Sequence, residues 1–180
     1  TVSLDTNYRS KLWSIEKASR VIGELMRYTD ICITNPGDIK DLFGIVSDKA
    51  DFDLKKPDNE GAASVAEKLM KRYPLKGAAL TLRTNLSASD NDFGAMLYGG
   101  EATVFSRKYR MHIADRVGGG DAFAAGLIYS LLKQKAPQDA VEFATAAAVL
   151  KHSVEGDFNR VAVSEVESLA GGDGSGRIQR

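Results

Sequence analysis

The sequence predicts an α/β fold of three layers, αβα, in which a mostly parallel sheet carries a β-hairpin at its edge. Short apolar runs that end in polar clusters alternate with longer segments of helical periodicity. This alternation is typical of a parallel sheet covered by helices on both faces. Gly99 and Gly100 separate two further apolar runs, 93–98 and 102–105, which is the pattern of a hairpin with a two-residue turn.

Three predicted strands end in polar residues, and the first two of them precede helices. They cover residues 2–4, 30–34 and 76–82. The polar residues at their ends are Asn7 and Arg9, Asn35 and Asp38, and Thr81 and Arg83. Because ligands of such folds bind beyond the carboxyl ends of the strands, we expect these three clusters to lie along one edge of the sheet.

Six segments have helical spacing. The first follows an N-cap at Ser14, the second covers 39–43 and ends at Gly44, and the others cover 62–73, 122–132, 138–152 and 164–169. The charged segment 47–59 is predicted to be a surface loop. Residues 1–170 therefore form one domain, and residues 171–180, which are rich in glycine, are predicted to be a flexible tail.

Composition excludes several classes of function. The chain of 180 residues has 24 basic and 24 acidic residues, so no overall charge favours nucleic acid or a membrane as a partner. The single cysteine, Cys32, fits a reducing, cytoplasmic location. The chain opens on a strand-like run without an initiator Met, which suggests a fragment of a longer protein; a removed tag or a processed N-terminus is the alternative.

The glycine run 118–120 opens the most informative stretch of the sequence. Asp121 follows these glycines directly and stands at the start of an apolar helix. A glycine loop that leads into a helix N-terminus binds anions, because free N–H groups and the helix dipole point at one spot. Asp121 therefore either caps the helix or acts on a group that approaches a bound phosphate.

Other phosphate-binding motifs do not fit this loop. A P-loop needs Lys and Ser or Thr after the last glycine, where this chain has Asp121 and Ala122. The dinucleotide motif needs a small residue where Phe123 stands, and protein-kinase motifs are absent. A carboxylate at an anion hole suits phosphoryl transfer to an alcohol, in which a base removes the hydroxyl proton.

Residues 115–123, Asp-Arg-Val-Gly-Gly-Gly-Asp-Ala-Phe, resemble the second signature of the ribokinase-like (PfkB) carbohydrate kinases. Segments 5–13, 81–83, 87–91 and 156–159 support the resemblance, which covers the C-terminal part of such an enzyme. It implies a ribokinase-like core without the N-terminal strands and lid, with ATP and Mg²⁺ as cofactors. The implied substrate is a sugar acid, 2-keto-3-deoxygluconate, phosphorylated at its 6-hydroxyl, and the full-length protein would form a homo-oligomer.

The resemblance also implies catalytic and substrate-binding residues. Asp121 would be the general base and would contact the substrate, with the amides of Gly118, Gly119 and Gly120 as the anion hole. Arg9 would bind the carboxylate of the sugar acid, and Asp157 would contact a substrate hydroxyl.

Further residues are implied to bind ATP and the metal. Those for ATP are Asn7, Tyr8, Thr81, Arg83, Gly118, Gly120 and Ala148. Asn35 and Asp38 would hold Mg²⁺ through water, because Asp38 is shorter than the Glu that the family has there.

Other interpretations of these residues are open. Arg9 also fits a surface arginine, Asp157 a turn acid, and segment 35–38 a turn that caps the next helix. His112 and His152 are predicted to be structural. Two other functions are also open: a kinase for a neutral sugar of the fructose or ribose type, and a nucleotide-binding module without catalysis.

Overall fold

The computed structural model describes residues 1–99 and 102–172, and these ranges contain one six-stranded sheet. Its strands are β1 (Ser3–Asp5), β2 (Ile31–Thr34), β3 (Gly77–Asn85), β4 (Asp90–Gly99), β5 (Ala102–Phe105) and β6 (Tyr109–His112). The spatial order is β1-β2-β3-β4-β5, with β6 also paired to β4. β1, β2 and β3 run parallel, whereas β4 is antiparallel to β3, β5 and β6. The α/β class is confirmed, and the sheet is mixed rather than mostly parallel.

The difference arises because β3 and β4 form a long hairpin that was not predicted. β3 continues three residues beyond the predicted end at Leu82, and β4 returns from Asp90. The hairpin between β4 and β5 is confirmed, but the turn predicted at Gly99 and Gly100 is wrong at Gly99, which pairs with Ala102. Gly100 lies outside the described residues.

Six α-helices lie in the described ranges. They are α1 (Ile15–Leu25), α2 (Pro36–Phe43), α3 (Asn59–Arg72), α4 (Gly119–Leu132), α5 (Pro137–Lys151) and α6 (Val163–Ala170). The predicted N-cap at Ser14 is confirmed, because its side chain accepts a hydrogen bond from the backbone N–H of Lys17. Gly44 ends α2 in the left-handed conformation at φ 66°, as glycine can without strain.

Helices cover both faces of the sheet, so the predicted three layers are confirmed. Alternate residues of the strands point to opposite faces. Cys32, Ala78 and Leu80 pack in one core with α1, α2 and α3. Ile33 and Ala79 pack in a second core with α4 and α5, and α6 packs on the outer side of α5.

The ends of the described ranges bear on two predictions. Gly171 and Gly172 form a turn after α6, and the rest of the tail predicted at 171–180 lies outside the described residues. No helix of the described part of the chain is both long and apolar enough to cross a membrane.

Candidate functional site

A cavity of about 710 Å³ lies at the carboxyl ends of β1, β2 and β3, beside the N-terminus of α4. Ten of the residues predicted for the site line it. They are Asn7, Tyr8, Arg9, Asn35, Asp38, Thr81, Arg83, Gly118, Gly120 and Asp121. The expected convergence of the polar strand ends on the glycine loop is therefore confirmed, as the connections of parallel strands dictate. The roles of the individual residues stay predictions.

Three predicted site residues do not line this cavity. Ala148 is fully buried within α5. Gly119 is the buried member of the glycine loop. Asp157 is exposed, and its carbonyl oxygen lies against Gly118. The geometry therefore gives Asp157 a role in supporting the glycine loop, and its predicted contact with substrate finds no support in the cavity lining.

The N-terminus of α4 faces the cavity without a side-chain cap. Gly118 is its N-cap residue, at φ 78°. No side chain in the described part of the protein accepts a hydrogen bond from the first N–H groups of this helix. The first N–H groups of a helix have no partner within it, so those of Gly119, Gly120 and Asp121 are available to an anion. Asp121 stands in the first turn rather than at the cap, so the alternative that it is the capping residue is wrong.

Two of the loop glycines fit only because they lack a Cβ. A Cβ at Gly118 would lie 2.5 Å from the carbonyl oxygen of Asp157, and the positive φ would strain any other residue there. A Cβ at Gly119 would overlap the His152 ring. At Gly120 a Cβ would meet no atom within 4 Å. The loop is thus packed tightly beneath its first two glycines and open at the third.

Carboxylates form one wall of the cavity. Asp38 Oδ2 accepts hydrogen bonds from Thr6 Oγ1 at 3.0 Å and from the backbone N–H of Tyr8 at 3.2 Å. Asp5 is half-buried, and burial is the main cause that raises its pKa; repulsion from Asp121 and Asp38 adds to the rise. The carboxylate of Asp5 is therefore close enough to those of Asp38 and Asp121 to be repelled by each of them, and a cation near Asp5 would relieve that repulsion.

Asn7 turns the chain from β1 into the cavity. Its φ of 34° is left-handed, a conformation that Asn tolerates better than most residues. The turn is held by a hydrogen bond of 3.0 Å from the N–H of Asn7 to Oδ1 of Asp5. The two following residues, Tyr8 and Arg9, then line the cavity. Backbone strain held in place at such a position is typical of functional sites.

Two arginines of the cavity lining, Arg83 and Arg116, lie near each other. Arg116 donates to the carbonyl oxygen of Ala88 at 2.6 Å. The pKa of Arg83 is lowered, first because the surroundings remove water from its guanidinium and then because of the nearby Arg116 charge. Two cations that repel each other at one cavity wall favour an anionic ligand, and a polyphosphate would pair with both.

Among the titratable residues that line the cavity, sequence reasoning missed Asp5, Lys55, Arg116 and His152. Asp5 and Arg116 stand within the motifs that predicted the site, so their place in those motifs was the available signal. His152 is 3% exposed, and its Nδ1 lies 2.6 Å from the carbonyl oxygen of Ala148. Burial lowers the pKa of His152, which favours the neutral ring. Its predicted structural role agrees with its packing under Gly119.

Comparison with protein families gives a match over most of the chain. A family model described as pfkB family carbohydrate kinase matches residues 1–161. Among curated proteins, 2-dehydro-3-deoxygalactonokinase of Haloferax volcanii is 26% identical over 174 residues, which are 96% of this chain and 48% of that protein.

Solved structures extend this comparison. The crystal structure of 2-dehydro-3-deoxygluconokinase from Thermotoga maritima matches with a TM-score of 0.87 and 40% identity, over 96% of this chain and 50% of that one. An E. coli protein assigned as Ribokinase II, in complex with ATP and Mg²⁺, matches with a TM-score of 0.69 and 17% identity, over 93% of this chain and 47% of that one. This second likeness shows a shared fold, so the expected ribokinase-like architecture is confirmed. The chain spans about half the length of the relatives it matches.

Proposed function

Since the chain belongs to the pfkB carbohydrate kinase family, we propose that its cavity is a phosphoryl-transfer site in which a sugar acid accepts the terminal phosphoryl group of ATP. The observation that carries the proposal is the uncapped N-terminus of α4, with Asp121 in its first turn and both facing the cavity. An anion hole and a carboxylate base beside it are the two groups that such a transfer requires.

The reaction assigns a task to each part of this helix end. The free N–H groups of the glycine loop stabilise the negative charge on the moving phosphoryl group. The carboxylate of Asp121 accepts the proton of the attacking hydroxyl. The hydroxyl oxygen bonds to the γ-phosphorus while the bond from that phosphorus to the bridging β–γ oxygen breaks, and ADP leaves.

The acidic wall of the cavity fits Mg²⁺. Mg²⁺ keeps most of its waters and is bound through one or two carboxylates and the substrate phosphates. Asp5 and Asp38 suit that arrangement, and no described cluster of three or more His, Cys, Asp or Glu side chains forms a complete metal cage. Asn35 is less suited, because its Oδ1 already accepts a hydrogen bond of 2.9 Å from the N–H of Asp38. Bound Mg²⁺ would offset charge on the ATP phosphates.

The arginines suit the two anionic substrates. Arg83 and Arg116 line the cavity and suit the ATP phosphates, and Arg9, which follows β1 and also lines the cavity, would pair with a sugar-acid carboxylate. The names of the Haloferax and Thermotoga relatives support a 2-keto-3-deoxy sugar acid as the substrate. Our proposed substrate is 2-keto-3-deoxygluconate, phosphorylated at its 6-hydroxyl.

The test compares Asp121→Asn with the wild type in the full-length gene product. We expect kcat for ATP-dependent phosphorylation of 2-keto-3-deoxygluconate to fall by about 10²- to 10⁴-fold, the range for loss of a general base. ATP binding, measured by calorimetry, should change little. Asp139→Asn is the matched control, because Asp139 also stands in the first turn of a helix but does not line the cavity.

Full turnover by Asp121→Asn would exclude Asp121 as the base. A panel of neutral sugars, including fructose and ribose, tests the substrate class in the same assay. Faster turnover of a neutral sugar would contradict carboxylate recognition by Arg9. ATP binding without transfer to any sugar would mean a nucleotide-binding module rather than a kinase.

A further inference from the structure

Lys151 is a fully buried cation that the proposed reaction does not use. It is the last residue of α5, and its exposed fraction is 0%. Taking an ammonium group out of water is costly unless the protein supplies partners, and lysine is among the residues least often buried completely. An apolar side chain of similar length would fill the same space at lower cost. The burial of Lys151 therefore requires an explanation.

The ammonium group of Lys151 lies directly beneath the glycine loop. Its Nζ donates to the carbonyl oxygen of Val154 at 2.9 Å. The Cε atom, to which Nζ is bonded, lies 3.2 Å from the point where a Cβ of Gly118 would stand. Lys151 thus fills the space beside Gly118 that a side chain would need, and it does not line the cavity.

Asp115 makes two bonds that tie the glycine loop to the segment after α5. Its Oδ1 accepts from the N–H of Val117, and its Oδ2 from the N–H of Gly156, each at 2.9 Å. These two bonds are the main causes that lower the pKa of Asp115, and the charge of Lys151 contributes to the shift. The glycine loop and the segment after α5 are therefore joined through one carboxylate, and Lys151 bonds to the same segment at Val154.

Backbone bonds complete the same junction. The carbonyl oxygen of His152 accepts from the N–H groups of Ala114 at 2.9 Å and Asp115 at 3.2 Å. Consecutive side chains at the end of α5 support consecutive glycines, Lys151 under Gly118 and His152 under Gly119. Any shift of Lys151 would move the amides that the proposed function uses.

We propose that Lys151 is a positioning residue of the anion hole, an inference that rests on the proposed function. Its buried ammonium fixes the glycine loop against the segment that follows α5. It also places a positive charge behind the loop amides, where it adds to their attraction for phosphate oxygens. Lys151 acts through the loop and touches neither substrate.

The experiment compares Lys151→Met with the wild type, in the full-length gene product. Methionine keeps the length but removes the charge and the donor to Val154, so we expect the variant to fold with a melting temperature a few degrees lower. We expect kcat to fall by about 10- to 100-fold. This is the loss found in metal sites when a residue that orients the ligands, without binding the metal itself, is removed. The affinity for ATP, measured by calorimetry, should fall together with kcat. The KM for the sugar acid should change little. Lys71→Met is the matched control, because Lys71 is exposed and pairs with Glu67 on α3.

A second variant separates positioning from folding. Lys151→Ala leaves a hole that methylammonium can enter, and added methylammonium should restore part of its kcat and ATP affinity. A purely structural lysine would lower the melting temperature of both variants, leave ATP affinity unchanged and show no rescue. Unchanged kcat and ATP affinity in Lys151→Met would also overturn the proposal. If the wild type transfers no phosphoryl group, the proposed function fails, and ATP affinity and its rescue still test Lys151.

Discussion

Two helices begin at the cavity, and their N-termini differ in the way their N–H groups are satisfied. At α2 the side chain of Asn35 accepts from the N–H of Asp38, and Pro36, at the first position, has no N–H to satisfy. At α4 the N-cap is Gly118, which has no side chain to offer. The capped end leaves the N–H of Gly37 to be satisfied from outside, whereas the uncapped end leaves those of Gly119, Gly120 and Asp121. The larger number of free donors supports the proposal that the N-terminus of α4 is the end that binds an anion.

The largest expected effect comes from adding a Cβ at the uncapped end. Gly118→Ala places a methyl group 2.5 Å from the carbonyl oxygen of Asp157 and strains the backbone at φ 78° by about 1–2 kcal/mol. The amides would be displaced, so we expect kcat/KM for ATP to fall by about 10²-fold or more. Initial rates and melting temperatures measure the two effects.

Gly44→Ala is the control for backbone strain alone. Gly44 is also left-handed, at φ 66°, but a Cβ there would meet no atom within 4 Å. We expect this variant to lose a similar strain energy and to keep its activity. Equal losses of activity in the two variants would show that the uncapped end has no special role.

A smaller effect is expected from removing the cap of α2. Asn35→Ala should lower the free energy of unfolding by about 1 kcal/mol, because the N–H of Asp38 loses its acceptor. Asn35→Ser retains a capping oxygen and should recover most of this loss. Urea denaturation measures the stability, and kcat should change only a few-fold. If Asn35→Ala is stable but requires much more Mg²⁺, the residue belongs to the metal site instead.

The smallest effect concerns Asp5. Burial, and after it repulsion from Asp121 of α4 and Asp38 of α2, disfavours the charged form of its carboxyl group. Its pKa is raised in the folded protein, so folding favours the protonated form. The stability that this provides is full below the unfolded pKa and is lost as the pH rises through the folded pKa. Asp5→Asn should therefore be more stable than the wild type at pH 7.

The gain from Asp5→Asn should shrink as the pH falls and vanish once Asp5 is protonated in both states. Urea midpoints measured across the acidic range for both proteins give the comparison. A variant that is less stable than the wild type at pH 7 would show that the carboxylate is attracted rather than repelled in the folded state.

Local signals in the sequence predicted the helix ends and the strands that precede helices. Ser14, Asn35 and Gly44 act through bonds or conformations that involve only near neighbours, so their residue types were sufficient. The extension of the β3–β4 hairpin was not predictable in this way. Asn91 is fully buried in β4 and Asp92 pairs with Arg110 of β6, so polar residues occupy positions where apolar ones mark a strand.

The residues of the site also divide into those that local sequence signals predicted and those that they did not. The polar strand ends and the glycine loop were predictable, because parallel strands bring their ends to one edge. The place of Asp157 outside the cavity lining was not, since a Gly-Asp turn specifies residue types and not where the turn lies. Lys151 and His152 resemble ordinary exposed residues at a helix end. Their burial depends on contacts with segments distant in sequence, such as the glycine loop.

The position of α5 between two cores has a consequence for the timescale on which the site can open. Nine of its fifteen residues are buried, and they pack in both the sheet core and the core beneath α6. Gly126 of α4 approaches it so closely that a Cβ would lie 3.0 Å from Cα of Ala144. Amide protons of such a helix exchange with solvent through global unfolding rather than local fraying. Because the glycine loop packs on the last residues of α5, we expect this side of the site to open on the same slow timescale.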